Sequence, residues 1–176
     1  PRIVGDGNYW LRLTSKAAGN GLHAASGKPF TVIISWQTSA DGTILALGLF
    51  TAHHRTFHIF GGSCVLRFQC NRSVTITAHG DADDGNVHVV AVRCDGAATP
   101  VINCFYDDAA MMTPTVGSFA ENTGEEIYLF SRTNGSHVLT GDCGGLFIAP
   151  SAFSDSTINT IMNGLSTDFG LGWTRS

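Results

Sequence analysis

The sequence predicts an all-β protein, a β-sandwich or jelly roll of two antiparallel sheets with one short C-terminal helix. About twelve short apolar or alternating segments are separated by Gly, Asn and Asp turn signals that recur about every eight to twelve residues. Composition agrees: charged residues make up only 14% of the chain, while 21 glycines and plentiful Val, Ile, Thr and Phe suit strands joined by tight turns. Helical periodicity stands out only after Ser154. At 176 residues, one domain over 1–176 is expected, with a Gly- and Ser-rich tail at 166–176.

In chain order, Arg2 to Leu13 sets Ile3, Val4, Tyr9, Trp10, Leu11 and Leu13 around Gly5-Asp6-Gly7-Asn8, which predicts a strand, a turn and a second strand. Lys16 to Lys28 is a connection rich in Gly, Ala and Ser. Phe30 to Gln37 is the strongest strand. Phe30, Val32, Ile34 and Trp36 share one face, expected to meet the core, and Thr31, Ile33, Ser35 and Gln37 share the other. An isoleucine on that second face places the strand mid-sheet. Thr43 to Phe50, Thr56 to Phe60, Val65 to Cys70 and Val74 to Ala78 then read as a meander. An acidic turn at Asp81 to Asn86 leads to strands at Val87 to Arg93 and Val101 to Tyr106, joined through Asp95-Gly96.

The pattern weakens from Asp107 to Thr123, a long connection holding Met111-Met112 and Pro114, and returns at Glu125 to Ser131. After the Asn134-Gly135 turn, Val138 to Thr140 leads into Cys143 to Leu165, the clearest strand-to-helix transition. Gly144-Gly145 let the backbone bend or approach a neighbour, Leu146-Phe147-Ile148 suit a buried strand, and Pro150 stops it. Ser154 is the expected N-cap, Asp155 suits the positive end of the helix dipole, and Ile158, Ile161, Met162 and Leu165 recur at helical spacing. The helix is expected mainly over Asp155 to Asn163, with Gly164 ending it.

A net charge of −4, with ten Lys and Arg scattered singly, gives no basic stripe for phosphates, so neither nucleic acid nor a membrane surface is an expected partner. No run approaches the roughly 20 apolar residues of a membrane span. The opening Pro-Arg-Ile-Val-Gly lacks a signal-peptide core, and if Pro1 is the encoded second residue nothing directs secretion. Cys64, Cys70, Cys94, Cys104 and Cys143 are odd in number and never at Cys-x-x-Cys spacing, which argues against zinc. They read as buried thiols, with a Cys94 to Cys104 disulfide as the alternative.

Taken together, these motifs resemble the concanavalin A-like lectin and glucanase superfamily, and within it the laminin-G-like domain. Asp84-Gly85-Asn86-Val87-His88-Val89-Val90-Ala91-Val92, followed by Asp95-Gly96, is similar to that family's Asp-Gly-Gln-Trp-His-His-Val-Ala-Val strand and hairpin. Gly145 to Ile148 with Ala152 to Ile158 resembles its last core strand and following helix, and Phe30 to Trp36 its early strand. The resemblance implies two sheets of six or seven strands, one concave, with ligands on that face or on its rim loops.

Hydrolysis is not expected. The superfamily's glucanases carry Glu-x-Asp-x-x-Glu on one strand, whereas this chain has only Glu121, Glu125 and Glu126, and retaining chemistry needs two carboxylates roughly 5 Å apart. Gly141-Asp142-Cys143-Gly144-Gly145 is superficially similar to a serine-protease nucleophile turn, with cysteine at the reactive position. His53, His54 and His58 are read as exposed histidines, with metal ligation as the alternative. Asp81, Asp83 and Asp84 form the calcium candidate, since hard cations take several oxygens from one turn, and an ordinary solvated turn is the alternative. For sugar stacking, Trp173, Tyr106 and Tyr128 are the selected rings.

Two functions follow as expectations. The first is a non-catalytic, lectin-like module binding a glycan or cell-surface polysaccharide. The second is a structural virion protein, a decoration, fibre or appendage subunit at the virion surface, in which the sandwich is an assembly block. Few charges, an uncharged Thr43 to Phe50 strand and exposed apolar segments at Met111-Met112 and Leu171 to Trp173 lead to an expected homo-oligomer or larger assembly.

Overall fold

The computed structural model describes residues 3–6, 11–14, 29–47, 55–60, 65–70, 74–78, 82–97, 101–109, 126–130 and 138–176. Among them are eleven strands: β1 (Ile3–Asp6), β2 (Leu11–Thr14), β3 (Phe30–Thr38), β4 (Gly42–Leu47), β5 (Arg55–Phe60), β6 (Val65–Cys70), β7 (Val74–Ala78), β8 (Val87–Cys94), β9 (Ile102–Tyr106), β10 (Glu126–Leu129) and β11 (Thr140–Ala149). One helix follows, α1 (Asp155–Phe169). A five-stranded sheet runs β1-β11-β3-β8-β9 and a six-stranded sheet β2-β10-β4-β5-β6-β7. Each pairing is antiparallel. The fold is thus the expected two-sheet sandwich with one helix, in sheets of five and six described strands where the resemblance implied six or seven.

The central strand β3 explains the layering. Its Phe30, Val32, Ile34 and Trp36 join Val90, Val92, Ile102 and Tyr106 of the same sheet and Ile44, Leu45 and Leu129 of the other in the core between the sheets. Its opposite face is also covered, because Ile33 packs with Val89, Ala91, Phe105 and the helical Ile158, Met162 and Leu165. A strand apolar on both faces fits only between two layers, and here those layers are the second sheet and α1. Ser151 and Phe153 lead into the helix, tied to Thr31: its hydroxyl donates to the Ser151 carbonyl at 2.8 Å and accepts from the Phe153 N–H at 2.9 Å.

Ser154 caps α1 as expected, its hydroxyl accepting from Thr157 N–H at 3.1 Å. Gly164 does not end the helix. Its side-chain position is open to solvent, so it costs about 1 kcal/mol relative to Ala, while burial of Leu165 and Ser166 just beyond it favours continuation. The stop is Gly170, left-handed at φ 67°, with Leu171 N–H bonded to Ser166 O and Gly170 N–H to Thr167 O, a Schellman closure.

Other expectations are corrected by the layering. Phe147 is 45% exposed, not buried, because α1 lies over β8 and β3 and leaves this part of β11 open. The uncharged β4 is not an edge strand, since β10 and β5 flank it. Cys94 and Cys104 are buried and are not joined in a disulfide; their register partners are Ile102 and Val92, so the two are not directly opposed. The Met111-Met112 segment, Cys64, His53 and His54 lie outside the described residues, as do the side chains of Cys70 and His58.

Candidate functional site

The turn before β8 and the end of β9 meet at one end of the sandwich. His88 shares the inward parity of Val90 and Val92, so its ring enters beside Trp36 and Tyr106, at centroid distances of 5.7 and 5.4 Å. There both ring nitrogens find carboxylates: Nδ1 lies 2.8 Å from Asp107 Oδ2, and Nε2 lies 3.1 Å from Asp84 Oδ1. Asp107 Oδ1 also accepts the Val89 N–H at 2.8 Å. Asp84 accepts from the Asn86 backbone and side chain, each at 2.7 Å.

Two carboxylates on one imidazole favour its doubly protonated form, which presents an N–H to each. Burial opposes its charge, but the hydrogen bonds and charges of Asp107 and Asp84 outweigh burial and raise the His88 pKa. Asp84 moves the other way: burial would raise its pKa, yet the Asn86 bonds and His88 bring it below the usual value. An imidazolium with both protons committed cannot act as a base. The cluster is a clamp that fixes the 82–86 turn, helped by Gly85 N–H to Thr38 O at 2.9 Å, Gln37 Nε2 to Gly85 O at 2.7 Å and Trp36 Nε1 to Ala82 O at 3.1 Å.

On the outer side of the same sheet end, the tail folds back along α1. Asn163 holds Arg175 at both main-chain groups, Ser166 Oγ donates to Trp173 O at 2.7 Å, and Asn159 Nδ2 donates to Ser176 O at 2.8 Å. The Arg175 guanidinium crosses to the β9 end, where it donates to the carbonyls of Asp107 and Ala109 and lies 5.4 Å from the Phe105 ring centre. Arg93 flanks the same ring at 5.6 Å and donates to Asp155 and to Phe153 O. Between helix, tail and β9 end is a groove of about 330 Å³ lined by Phe105, Asp108, Asp155, Asn159, Thr174 and Arg175, among others. That volume falls at the lower end of small-ligand sites, roughly 300–1,000 Å³.

The selected residues are dispersed. Tyr106 is 6% exposed and its ring stands edge-on to Trp36 in the core, so it presents no face to a sugar. Trp173 is half-buried against the outer-face cluster, one residue before the groove-lining Thr174. Tyr128 is paired with Arg12 and Ala46 through the β10 backbone, and its side chain lies outside the described residues. Asp81 lies there too. Asp83 has one buried carboxylate oxygen without a hydrogen-bond partner, whereas Asp84 is engaged by Asn86 and His88. Among the described residues no three His, Cys, Asp or Glu side chains are grouped to hold a metal, so the calcium candidate has no cage built from them. Cys143 is 4% exposed, and burial pushes its thiol up to about 11, which removes the thiolate a hydrolase would need. Glu126 is in β10, while Glu121 and Glu125 lie outside the described residues.

Sequence reading missed Asp107, Asp108, Asn159 and Arg175. Asp107 and Asp108 begin a segment that reads as connection, and Asn159 and Arg175 gain meaning only when the tail reverses.

No family model matches the sequence, and no curated protein does. Solved structures do match. The mouse laminin alpha1 chain, domains LG4-5, is 16% identical with a TM-score of 0.62 over 87% of this chain and 43% of that one. A heptameric SAP-like pentraxin from Limulus polyphemus is 12% identical with a TM-score of 0.55, over 89% and 83%. A botulinum neurotoxin type C structure, concerned with the dependence of cell entry on interaction with two ganglioside molecules, is 10% identical with a TM-score of 0.67, over 93% and 42%. This chain spans less than half of the laminin and toxin chains. With two antiparallel sheets, a helix laid on one of them and these neighbours, the protein has the concanavalin A-like jelly-roll fold of laminin G domains and pentraxins.

Proposed function

We propose that the protein is a non-catalytic binding domain for a glycan or cell-surface polysaccharide. The observation that carries this reading is the groove between α1, the tail and the β9 end, whose lining combines an amide, two carboxylates, two hydroxyls and a guanidinium with an aromatic ring. Sugar hydroxyls both donate and accept, and a preformed wall of mixed polar groups matches them. The neurotoxin type C neighbour, whose cell entry depends on gangliosides, supports a sugar-bearing ligand for this fold, and Trp173, next in sequence to the groove-lining Thr174, is the proposed stacking ring. The test is binding of the labelled protein to an immobilised glycan panel, with Asn159→Ala as control. Binding that the substitution weakens about tenfold or more is expected; absence of binding across the panel, or binding unchanged by Asn159→Ala and Thr174→Ala, overturns the assignment.

A second reading, an assembly block such as a virion subunit, is favoured by one observation. The edge strand β1 presents Ile3 and Val4 at 46% and 63% exposure, with Phe147 of the neighbouring β11 at 45%. Exposed apolar edge strands are sites of association between copies.

A further inference from the structure

We infer that α1 and the β9 end form a docking track for an extended peptide segment with an arginine two residues after an aromatic residue, a track that the chain's own tail fills in cis. The inference goes beyond the glycan-binding reading and stands without it.

Asn159, Asn163 and Ser166 follow one another at helical spacing, so they share one stripe of α1. All three address the main chain of the tail. Asn163 Oδ1 accepts the Arg175 N–H at 2.7 Å while its Nδ2 donates to the Arg175 carbonyl at 3.0 Å; Ser166 Oγ donates to Trp173 O and Asn159 Nδ2 to Ser176 O. The tail therefore runs antiparallel to the helix. A side-chain amide that satisfies the N–H and C=O of one residue holds an extended segment whatever side chains that segment carries. Side chains are selected at two places. Trp173 is half-buried against the outer-face cluster, while Thr174 and Ser176 are exposed. Arg175 enters a built guanidinium pocket: Nε donates to Asn159 Oδ1 at 3.3 Å, Nη1 donates to the carbonyls of Asp107 and Ala109, and the Phe105 ring centre lies 5.4 Å away. A lysine ammonium is a point charge and cannot reproduce this fork beside an aromatic ring. The tether adds little to the recognition. It is Gly170-Leu171-Gly172, with both glycines left-handed at φ 67° and 76° and open space beside each. These contacts belong to the segment and not to its covalent link, so a free segment of the same pattern can make them. A tethered tail meets its site at an effective concentration of about millimolar. A partner segment displaces it by adding contacts of its own, for which the neighbouring groove of about 330 Å³ has room.

The test uses the full chain with its own tail weakened by Arg175→Ala. The probe is a fluorescently labelled peptide, Leu-Gly-Trp-Thr-Arg-Ser, the sequence of 171–176, titrated by anisotropy. Folding of each variant is checked first by its melting temperature, and if Arg175→Ala is unfolded at the assay temperature, Arg175→Lys takes its place. The expected result is peptide binding to Arg175→Ala about tenfold or more tighter than to the wild type, whose tail competes in cis. That binding should weaken about tenfold or more when lysine replaces the peptide's arginine, or when Asn163→Ala is added to the protein, and should be unchanged when valine replaces the peptide's threonine. No binding to Arg175→Ala up to about millimolar concentration overturns the inference. So does binding that is equal in wild type and variant, or indifferent to lysine in place of arginine, since either places the peptide elsewhere. None of these outcomes bears on glycan binding, which the glycan panel decides separately.

Discussion

Gly144→Ala is the most direct probe of how α1 is held to the sheet. A Cβ on Gly144 would lie 2.0 Å from Phe169 Cζ, 2.7 Å from Cε1 and 3.0 Å from Cε2. Carbon atoms rest roughly 3.5–4.0 Å apart, so the ring must retreat by about 1.5 Å, and the last turn of α1 or the bulge between Cys143 and Gly145 must move with it. Overpacking of this kind costs about 1–3 kcal/mol. Phe169 is half-buried, so its ring has a path outward and the lower half of that range is expected, a fall in melting temperature of about 3–6 °C at this size. The assay is urea denaturation of the wild type, Gly144→Ala, Phe169→Ala and the double variant. With the ring gone the methyl has room, so the double variant should be at least about 1 kcal/mol more stable than additivity predicts. Wild-type stability for Gly144→Ala, or strict additivity, would refute the contact as the reason for glycine.

Three further predictions come from the core, the clamp and the edge. Trp36→Ala removes a ring 1% exposed and its bond to Ala82 O, and should cost about 3–5 kcal/mol; an unchanged denaturation midpoint would contradict its place in the core. Since the folded His88 pKa is raised, its stabilisation is complete below the unfolded value of about 6.5 and is lost as pH rises through the folded pKa; Asp84, lowered, contributes above its unfolded value near 4 and loses that contribution as pH falls through its folded pKa. Stability measured against pH should therefore fall on the alkaline side in the wild type and not in His88→Gln, and parallel curves would dismiss the clamp. Finally, sedimentation at micromolar concentration should show an oligomer that Val4→Lys dissociates; a monomer in the wild type would remove the assembly reading.

The sheets were far more legible in the sequence than the site. Alternation in Phe30 to Trp36 and the isoleucine at position 33 announced a strand covered on both faces, and Ser154 announced the start of the helix. These signals are local: a side-chain period of two or a cap depends on a few neighbouring residues. The end of the helix was misread because Gly164 satisfies a local stop rule, while the burial of Leu165 that overrides it is tertiary. The groove was invisible for a related reason. Asp108 and Arg175 are 67 positions apart, and nothing along the chain shows that the tail turns back on α1 through Asn159 and Asn163.

The strand order β1-β11-β3 sets a constraint on when the protein can fold. Strand β11 lies between two strands made more than 100 residues before it, and β3 meets β11 along Thr31 to Thr38. Until residue 149 has left the ribosome, the β3 edge that takes β11 is unpaired, and among the described strands β1 still lacks its partner. At translation rates of about 5–20 residues per second, the apolar β3 therefore waits for about 6–22 s with that edge open. Such a segment is a natural site for chaperone engagement or for pairing with another nascent chain. Closure of the sheet depends on contacts more than 100 residues apart, the kind of topology that folds slowly even once the chain is complete.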